Sequence, residues 1–392
     1  MNYEFPVITN IKDVLPAIEG KDEFYVCEKE NFTVINYLMQ DSKTFPEITD
    51  RNSAFLRECR GIKFHPKTGE ILSRPYNKFF NMFEKQETFL ENIDFSKPHV
   101  VLSKLDGSMI HNFCHNGKIE WLTKMGAENF NNSVKDFVKK HPKYEDFVWE
   151  VHEEGFTAIF EWCSSSIEQR IVITHAEDNL ILTAIRNTVY GNYIPYKNMV
   201  EWAEEYDIPV VESIEMDFIN FPNESIEQIR KWEGKEGVVI RFDNMMAKIK
   251  ADQYVMIHKN KELINSEKAV AELIINNGID DVKSFLLPDD LKMVNDYEDD
   301  FTACIKNLSK FLYKAMNEIG DMPRKDFALV KSQEMLPLFR AMCFHVWENR
   351  SSENCYNTVI SYFKKNCNNN KNFKVLKEQF LSDINYGIQG EE

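Results

Sequence analysis

The chain has 392 residues, 43% hydrophobic and 13% aromatic, with a formal charge of -16. That length argues for two cores rather than one, and the absence of any run of about 18 uncharged apolar residues excludes a membrane-spanning helix. The acidic balance excludes indiscriminate coating of nucleic acid but leaves room for a local basic groove, because a phosphate backbone responds to the nearby field.

The eight cysteines are scattered without CxxC spacing and read as reduced, packing residues. No basic segment followed by an apolar core is read in MNYEFPVITNIKD, so a cytoplasmic setting is expected.

Up to about Arg241 the chain reads as many short strands with interspersed helices. HNFCHNGKIEWLTK, residues 111–124, predicts a hairpin turning at Asn116-Gly117. FTAIFEWC, RIVITH, NLILTAIR and EGVVIRF predict further strands, being rich in branched and aromatic residues. YKNMVEWAEEY and SIEQIRKWE predict helices, the first opening near Pro195 and the second capped by Ser225.

From about Leu263 the pattern turns helical. Ser266 as N-cap and Gly278 as stop bound one helix. Phe301, Ile305, Leu308, Leu312 and Ile319 repeat at helical spacing before Gly320 and Pro323. EMLPLFRAMCFHVWENR and CYNTVISYFKK continue in that manner, and the Asn/Lys-rich KKNCNNNKNFK predicts an exposed loop. The expected fold is α+β: antiparallel sheets with helices over residues 1–260, then an all-α region over residues 261–392.

VLSKLDGSMI sets Lys104 two residues before an Asp-Gly-Ser turn, directly after an apolar run. A Lys-x-Asp-Gly match alone is weak, since roughly one chain in ten of this length carries one by composition. Its company raises it. Glu236-Gly237 precedes a strand, and Lys248 and Lys250 follow on the next one. Side chains two apart on a strand share a face, so two lysines there repel each other unless an anion sits between them; a solvated edge-strand face is the bland alternative. ECRGIKFHPKTGEILSRPYNKFFN supplies Arg60, Lys78 and Phe79-Phe80, and Lys124 and Glu161 lie on predicted strands.

Together these motifs resemble those of the covalent nucleotidyltransferases, most closely the ATP-dependent RNA ligases of T-even-like phages that repair nicked tRNA. The resemblance is dense from about Asn31 to Lys259 and faint beyond. It implies a nucleotidyltransferase domain with ATP-grasp-like antiparallel sheets, followed by a helical domain for RNA specificity. It further implies that Lys104 becomes adenylated, with Asp106, Gly107 and Ser108 completing its motif. Tyr37 and Arg60 are carried to ATP-contacting positions, and Lys78 with Phe80 to a phosphate-contacting motif. Lys124 and Glu161 become essential pocket residues, Glu236 takes a metal-handling or pocket role, and Lys248 and Lys250 clamp phosphate. Asp280 and Asp281 match an acidic pair that binds a divalent cation, beside the plainer reading of helix capping.

The implied cofactors are ATP and Mg2+ or Mn2+. The implied partner is RNA, a broken tRNA anticodon loop; the oligomeric state is left open, with a monomer favoured. Lys364, Lys365, Lys371 and Lys374 are candidate phosphate contacts in the helical part, or simply solvated charge.

The chemistry explains the residue types. A free lysine is protonated at neutral pH, and neighbouring cations with partial desolvation favour its neutral, nucleophilic form. A DNA ligase or mRNA-capping guanylyltransferase is the first alternative. Those enzymes append a small β-barrel after the last lysine pair, where this chain turns helical. A non-catalytic RNA-binding protein with a ligase-like fold is the second.

Overall fold

The computed structural model describes residues 4–38, 43–115, 117–124, 126, 128–166 and 169–387. The chain divides into two compact units, Met1–Val255 and Met256–Glu392.

In the first unit α1 (Ile11–Ile18) and α2 (Arg51–Glu58) each open on a capping box, Asn10 with Asp13 and Asp50 with Ser53, which satisfies their free N–H groups. The first sheet joins β1 (Phe24–Glu28), β2 (Thr33–Tyr37), β3 (Ile62–Phe64) and β4 (Ile71–Ser73) in chain order, all antiparallel. There follow β5 (Phe80–Asn81), β6 (His99–Lys104) and the hairpin β7 (Ser108–His115) with β8 (Lys118–Thr123). Then come α3 (Glu128–Lys140), α4 (Lys143–Glu153), β9 (Phe156–Cys163), β10 (Asn179–Asn187), α5 (Tyr196–Glu204), α6 (Pro222–Arg230), β11 (Gly237–Phe242) and β12 (Met246–Lys250).

The second sheet has the order β10-β9-β7-β8, and the third β5-β12-β11-β6. Every described pairing is antiparallel except β5 with β12. Trp121, Phe147, Phe160 and Trp162 fill the core under the second sheet, while Val101, Val238, Ile240 and Ile249 pack the third against Ile226 and Ile229 of α6.

Glu58, at the end of α2, accepts Arg74 at 3.1 Å and Arg186 at 2.8 Å, all three side chains wholly buried. Burial alone raises a carboxyl's pKa, but here the two guanidinium groups win and hold Glu58 below its usual range. The triad knits α2, the segment after β4 and β10 together, and Lys78 N–H bonds Arg57 O at 2.6 Å. Arg60 and Lys78 therefore leave a common rigid base.

α7 (Asp252–Ile264) carries the chain into the second unit, whose described residues hold helices and no strand: α8 (Glu267–Ile275), α9 (Ile279–Lys283), the 32-residue α10 (Pro288–Ile319), α11 (Arg324–Leu329), α12 (Pro337–His345), α13 (Ser352–Cys367) and α14 (Asn370–Leu376). Val294, Phe301, Ile305 and Leu312 of α10 pack against Val359 and Phe363 of α13 within one core. Among the described residues no helix is long and apolar enough to cross a membrane.

Four local expectations need correction. Arg170–His175 is irregular rather than a strand, because the N–H groups of Val172 and Ile173 go to the Asp106 carboxylate, not to a ladder. Ser225 lies inside α6, whose first position is Pro222. Gly278 does not take the left-handed position that ends α8; Asn277 does, at φ 58°. The stretch 364–374 is the end of α13 and the start of α14, not a loop: Asn369 caps α14 by accepting from Asn372 N–H, and Phe363, Cys367 and Phe373 are buried. Asn116 of the predicted hairpin turn lies outside the described residues; Gly117 beside it has φ 72°.

Candidate active site

Gly237 stands opposite Lys104 of β6 on one side and Lys250 of β12 on the other. Three residues abreast, the middle one without a side chain, leave a trough between the Lys104 and Lys250 side chains at the end of β11. A Cβ on Gly237 would meet Ile249 O at 2.0 Å, and its φ of 142° is one that glycine accepts readily. Glu236, just before it and 3% exposed, fills the trough: its Oε1 lies 2.6 Å from Lys104 Nζ and 2.9 Å from Lys250 Nζ. One protein carboxylate thus lies between Lys104 and Lys250, rather than between the strand-mates Lys248 and Lys250.

Lys104 ends β6 where the chain turns sharply into β7. Gly107 makes that turn possible, since a Cβ there would come within 2.4 Å of Trp162 O and 3.0 Å of Glu161 Cγ. Asp106, only 3% exposed, does not face the trough. It accepts from Val172 and Ile173 N–H at 2.8 and 2.6 Å and from the Tyr254 hydroxyl at 2.6 Å, while its own carbonyl is 2.7 Å from His175 Nε2. Asp106 is an anchor for the lysine's turn. Tyr254 also stacks under Lys250, its ring centroid 5.0 Å from Nζ. Tyr254 and His175 escaped the sequence reading because neither sits in a spacing pattern; only their contact with Asp106 marks them.

Around this pair the cations gather. Burial holds Lys248 down to about 7, with Lys78, Lys104, Arg60 and Lys250 pushing the same way. Lys78 is lowered to about 8, again first by burial and then by Arg60. Burial and then Arg60 also lower Lys124. Both Lys78 and Lys124 lie over the Tyr37 ring, 5.3 and 4.2 Å from its centroid, an attraction that offsets part of their mutual repulsion. Lys248 lies 5.6 Å from the Phe79 centroid. Phe80 is 1% exposed, with Arg57 and Lys78 over its ring, so it supports the cations from within the core rather than offering a surface. Burial pushes the Glu161 carboxyl up to about 7; Glu236 and Asp106 add to this and Lys104 and Arg60 oppose it.

Tyr37, Arg60, Lys78, Phe80, Lys104, Lys124, Glu161, Glu236, Lys248 and Lys250 thus all lie in the first unit. Asp280 and Asp281 stand exposed in the first turn of α9 in the second unit, where acidic side chains complement the helix dipole. Among the described residues no group of three or more His, Cys, Asp or Glu side chains is arranged to hold a metal.

A cluster of lysines and an arginine around two carboxylates is suited to hold a polyanion. Comparison with known proteins is more specific. Residues 58–260 match the family model of RNA ligase, and residues 261–386 that of the C-terminal domain of T4 RNA ligase 1. A Thermovibrio ammonificans protein named "Putative RNA ligase" is 28% identical over 281 residues, 69% of this chain and 70% of that one. RNA ligase 1 of bacteriophage TS2126 is 23% identical over 288 residues, 69% of this chain and 68% of that one. An archaeal ATP-dependent RNA ligase structure aligns with TM-score 0.43 at 13% identity, covering 69% of each chain. The chain belongs to the RNA ligase family, that of the phage-type ATP-dependent enzymes.

Proposed function

We propose that this enzyme joins 5′-phosphate and 3′-hydroxyl RNA ends through adenylate carried on Lys104, and that its substrate is a cleaved tRNA. One observation carries the reading: Lys104, its side chain 22% exposed and its Nζ 2.6 Å from Glu236, stands within a cluster of partly buried cations. Six cationic side chains (Arg60, Lys78, Lys104, Lys124, Lys248, Lys250) face two carboxylates, Glu161 and Glu236. Such an excess in a desolvated site fits a polyphosphate.

In the first step the Lys104 amine, having lost its proton, attacks the α-phosphorus of ATP. An N–P bond forms, the bond from that phosphorus to the bridging oxygen breaks, and pyrophosphate leaves. Arg60, Lys78, Lys124 and Lys248 stabilise the charge on the phosphoryl oxygens. In the second step an oxygen of the RNA 5′-phosphate attacks the same phosphorus, forming a P–O–P link as the P–N bond breaks and the lysine is reprotonated. In the third the 3′-hydroxyl oxygen attacks the 5′-phosphorus, the phosphodiester forms and AMP departs. Glu161, with its raised pKa, can hold a proton near the reacting amine at neutral pH.

Glu236 is the carboxylate that would hold a divalent ion alongside phosphate, oxygen being the ligand that magnesium prefers. When bound, it would neutralise charge on the departing pyrophosphate. In this reading residues 1–260 transfer adenylate and residues 261–392 select RNA.

The test is ATP labelled at the α-phosphate. Label should stay on the denatured wild-type protein and be missing from Lys104→Ala, and 5′-phosphorylated, 3′-hydroxyl RNA should be joined in preference to nicked DNA. Wild-type protein that takes up no label refutes the covalent mechanism; equal joining of nicked DNA refutes the RNA assignment.

A further inference from the structure

Lys63 lies on β3 beneath the cation cluster and is 0% exposed. Its Nζ donates to Gly61 O at 2.7 Å, Thr123 O at 3.2 Å and Lys124 O at 3.4 Å, and stands 3.0 Å from His111 Nε2. The imidazole's role follows from its other side. Ser73 Oγ has one hydrogen and gives it to Asn112 O at 2.7 Å, so it accepts from His111 Nδ1–H, also at 2.7 Å. That leaves Nε2 as an acceptor for Lys63. Four acceptors therefore converge on one ammonium, none of them a carboxylate.

The carbonyls it gathers belong to the backbone next to two site residues. Gly61 follows Arg60 on the first sheet; Lys124 follows the end of β8 on the second. The two segments pack so tightly that a Cβ on Gly61 would reach Lys124 O at 2.6 Å. Carbonyl oxygens gathered within reach of one point repel each other, and the buried donor they share offsets that repulsion.

We propose that Lys63 is a positioning residue of the ligation reaction, a buried ammonium that binds the carbonyls of Gly61, Thr123 and Lys124 and so sets the spacing of Arg60 and Lys124 around the polyphosphate. It rests on the function proposed above. Lys63 touches no substrate and acts only through its two neighbours. Burial pushes the Lys63 pKa well down, while the four acceptors gathered around Nζ favour its protonated, three-donor form and oppose that shift; burial and then the Lys63 charge lower His111 as well, which keeps the imidazole neutral and accepting.

The experiment is single-turnover adenylation of full-length protein over a range of ATP concentrations, with thermal melting in parallel. Lys63→Met keeps the length and removes the donors; the ATP concentration for half-maximal rate should rise about fivefold, with the saturating rate within about twofold of wild type. In a Lys124→Ala background the same substitution should raise it less than about twofold, because part of the effect passes through Lys124. Ser73→Ala leaves Lys63 in place and frees the imidazole from its fixed tautomer. It is expected to raise the half-saturating concentration about twofold and stands in should Lys63→Met not fold. An unchanged half-saturating concentration in the folded variants, or a fully additive double mutant, overturns the proposal. A fall in saturating rate alone, tracking lost folded protein, assigns Lys63 to stability only. Absence of label on the wild type would instead strike at the proposed function and is read separately.

Discussion

Lys104 and Glu236 meet at 2.6 Å across the opening where β6 and β11 run side by side, and the same Glu236 oxygen holds Lys250 at 2.9 Å. One protein carboxylate thus balances two ammonium groups where the two strands end.

Glu236→Gln keeps the shape of that side chain and removes its charge. The lysines then lose their shared counter-ion, and a bound polyanion loses a repelling neighbour. ATP should bind at least as tightly as to wild type, while adenylation of Lys104 slows by about a hundredfold. Equilibrium binding and single-turnover labelling measure the two separately; an undiminished rate would show that Glu236 only balances charge in the resting protein.

Gly107→Ala forces a Cβ to within 2.4 Å of the Trp162 carbonyl, and backbone cannot give way as a side chain tip can. A loss of about 1–3 kcal/mol in stability is expected, with adenylation falling about a hundredfold because Lys104 moves with the turn. Gly155→Ala is the control, where φ is 82° but nothing stands within 4 Å of the added carbon; it should cost about 1 kcal/mol and leave adenylation intact. Equal losses of activity in the two variants, seen against their melting curves, would remove the steric argument.

Lys248 sits at about 7 against an ordinary 10.5. Between those values the unfolded chain carries the proton and the folded protein does not, so this group's contribution to stability rises with pH across that window. Lys78 behaves alike above about 8. Glu161 runs the other way, its contribution falling as pH climbs from 4.5 to about 7. A bound polyanion pulls Lys248 back towards its ordinary value, so ATP binding at pH 8 without divalent metal should take up protons, and affinity should weaken as pH rises above 7. Calorimetry in two buffers of different ionisation enthalpy counts those protons. Uptake that persists unchanged in Lys248→Met would show that another group titrates.

Lys364, Lys365, Lys371 and Lys374 are exposed on α13 and α14. Changing all four to Ala should leave adenylation untouched but weaken the joining of cleaved tRNA several-fold and flatten its salt dependence. Joining that keeps the wild-type salt slope would free these lysines from any part in RNA binding.

Much of this was legible in the chain itself. The strand runs around Lys104, Glu161 and Lys248 were readable because buried strands concentrate branched and aromatic residues, and α10 because its apolar positions recur at helical spacing. Local pattern failed where side chains far apart settle a segment's hydrogen bonds. RIVITH has strand composition, yet Asp106 captures its N–H groups. KKNCNNNKNFK has loop composition, yet Asn369 caps a helix and Phe373 buries.

The sequence by itself determined which lysines and carboxylates stand at turn and strand positions, since that is a property of composition and spacing. Only tertiary structure decided that Glu236 lies between Lys104 and Lys250, that Asp106 faces inward, and that Lys63 reaches Lys124. Cross-strand register and side-chain burial fix those distances, and both arise from contacts between segments that sequence order keeps apart.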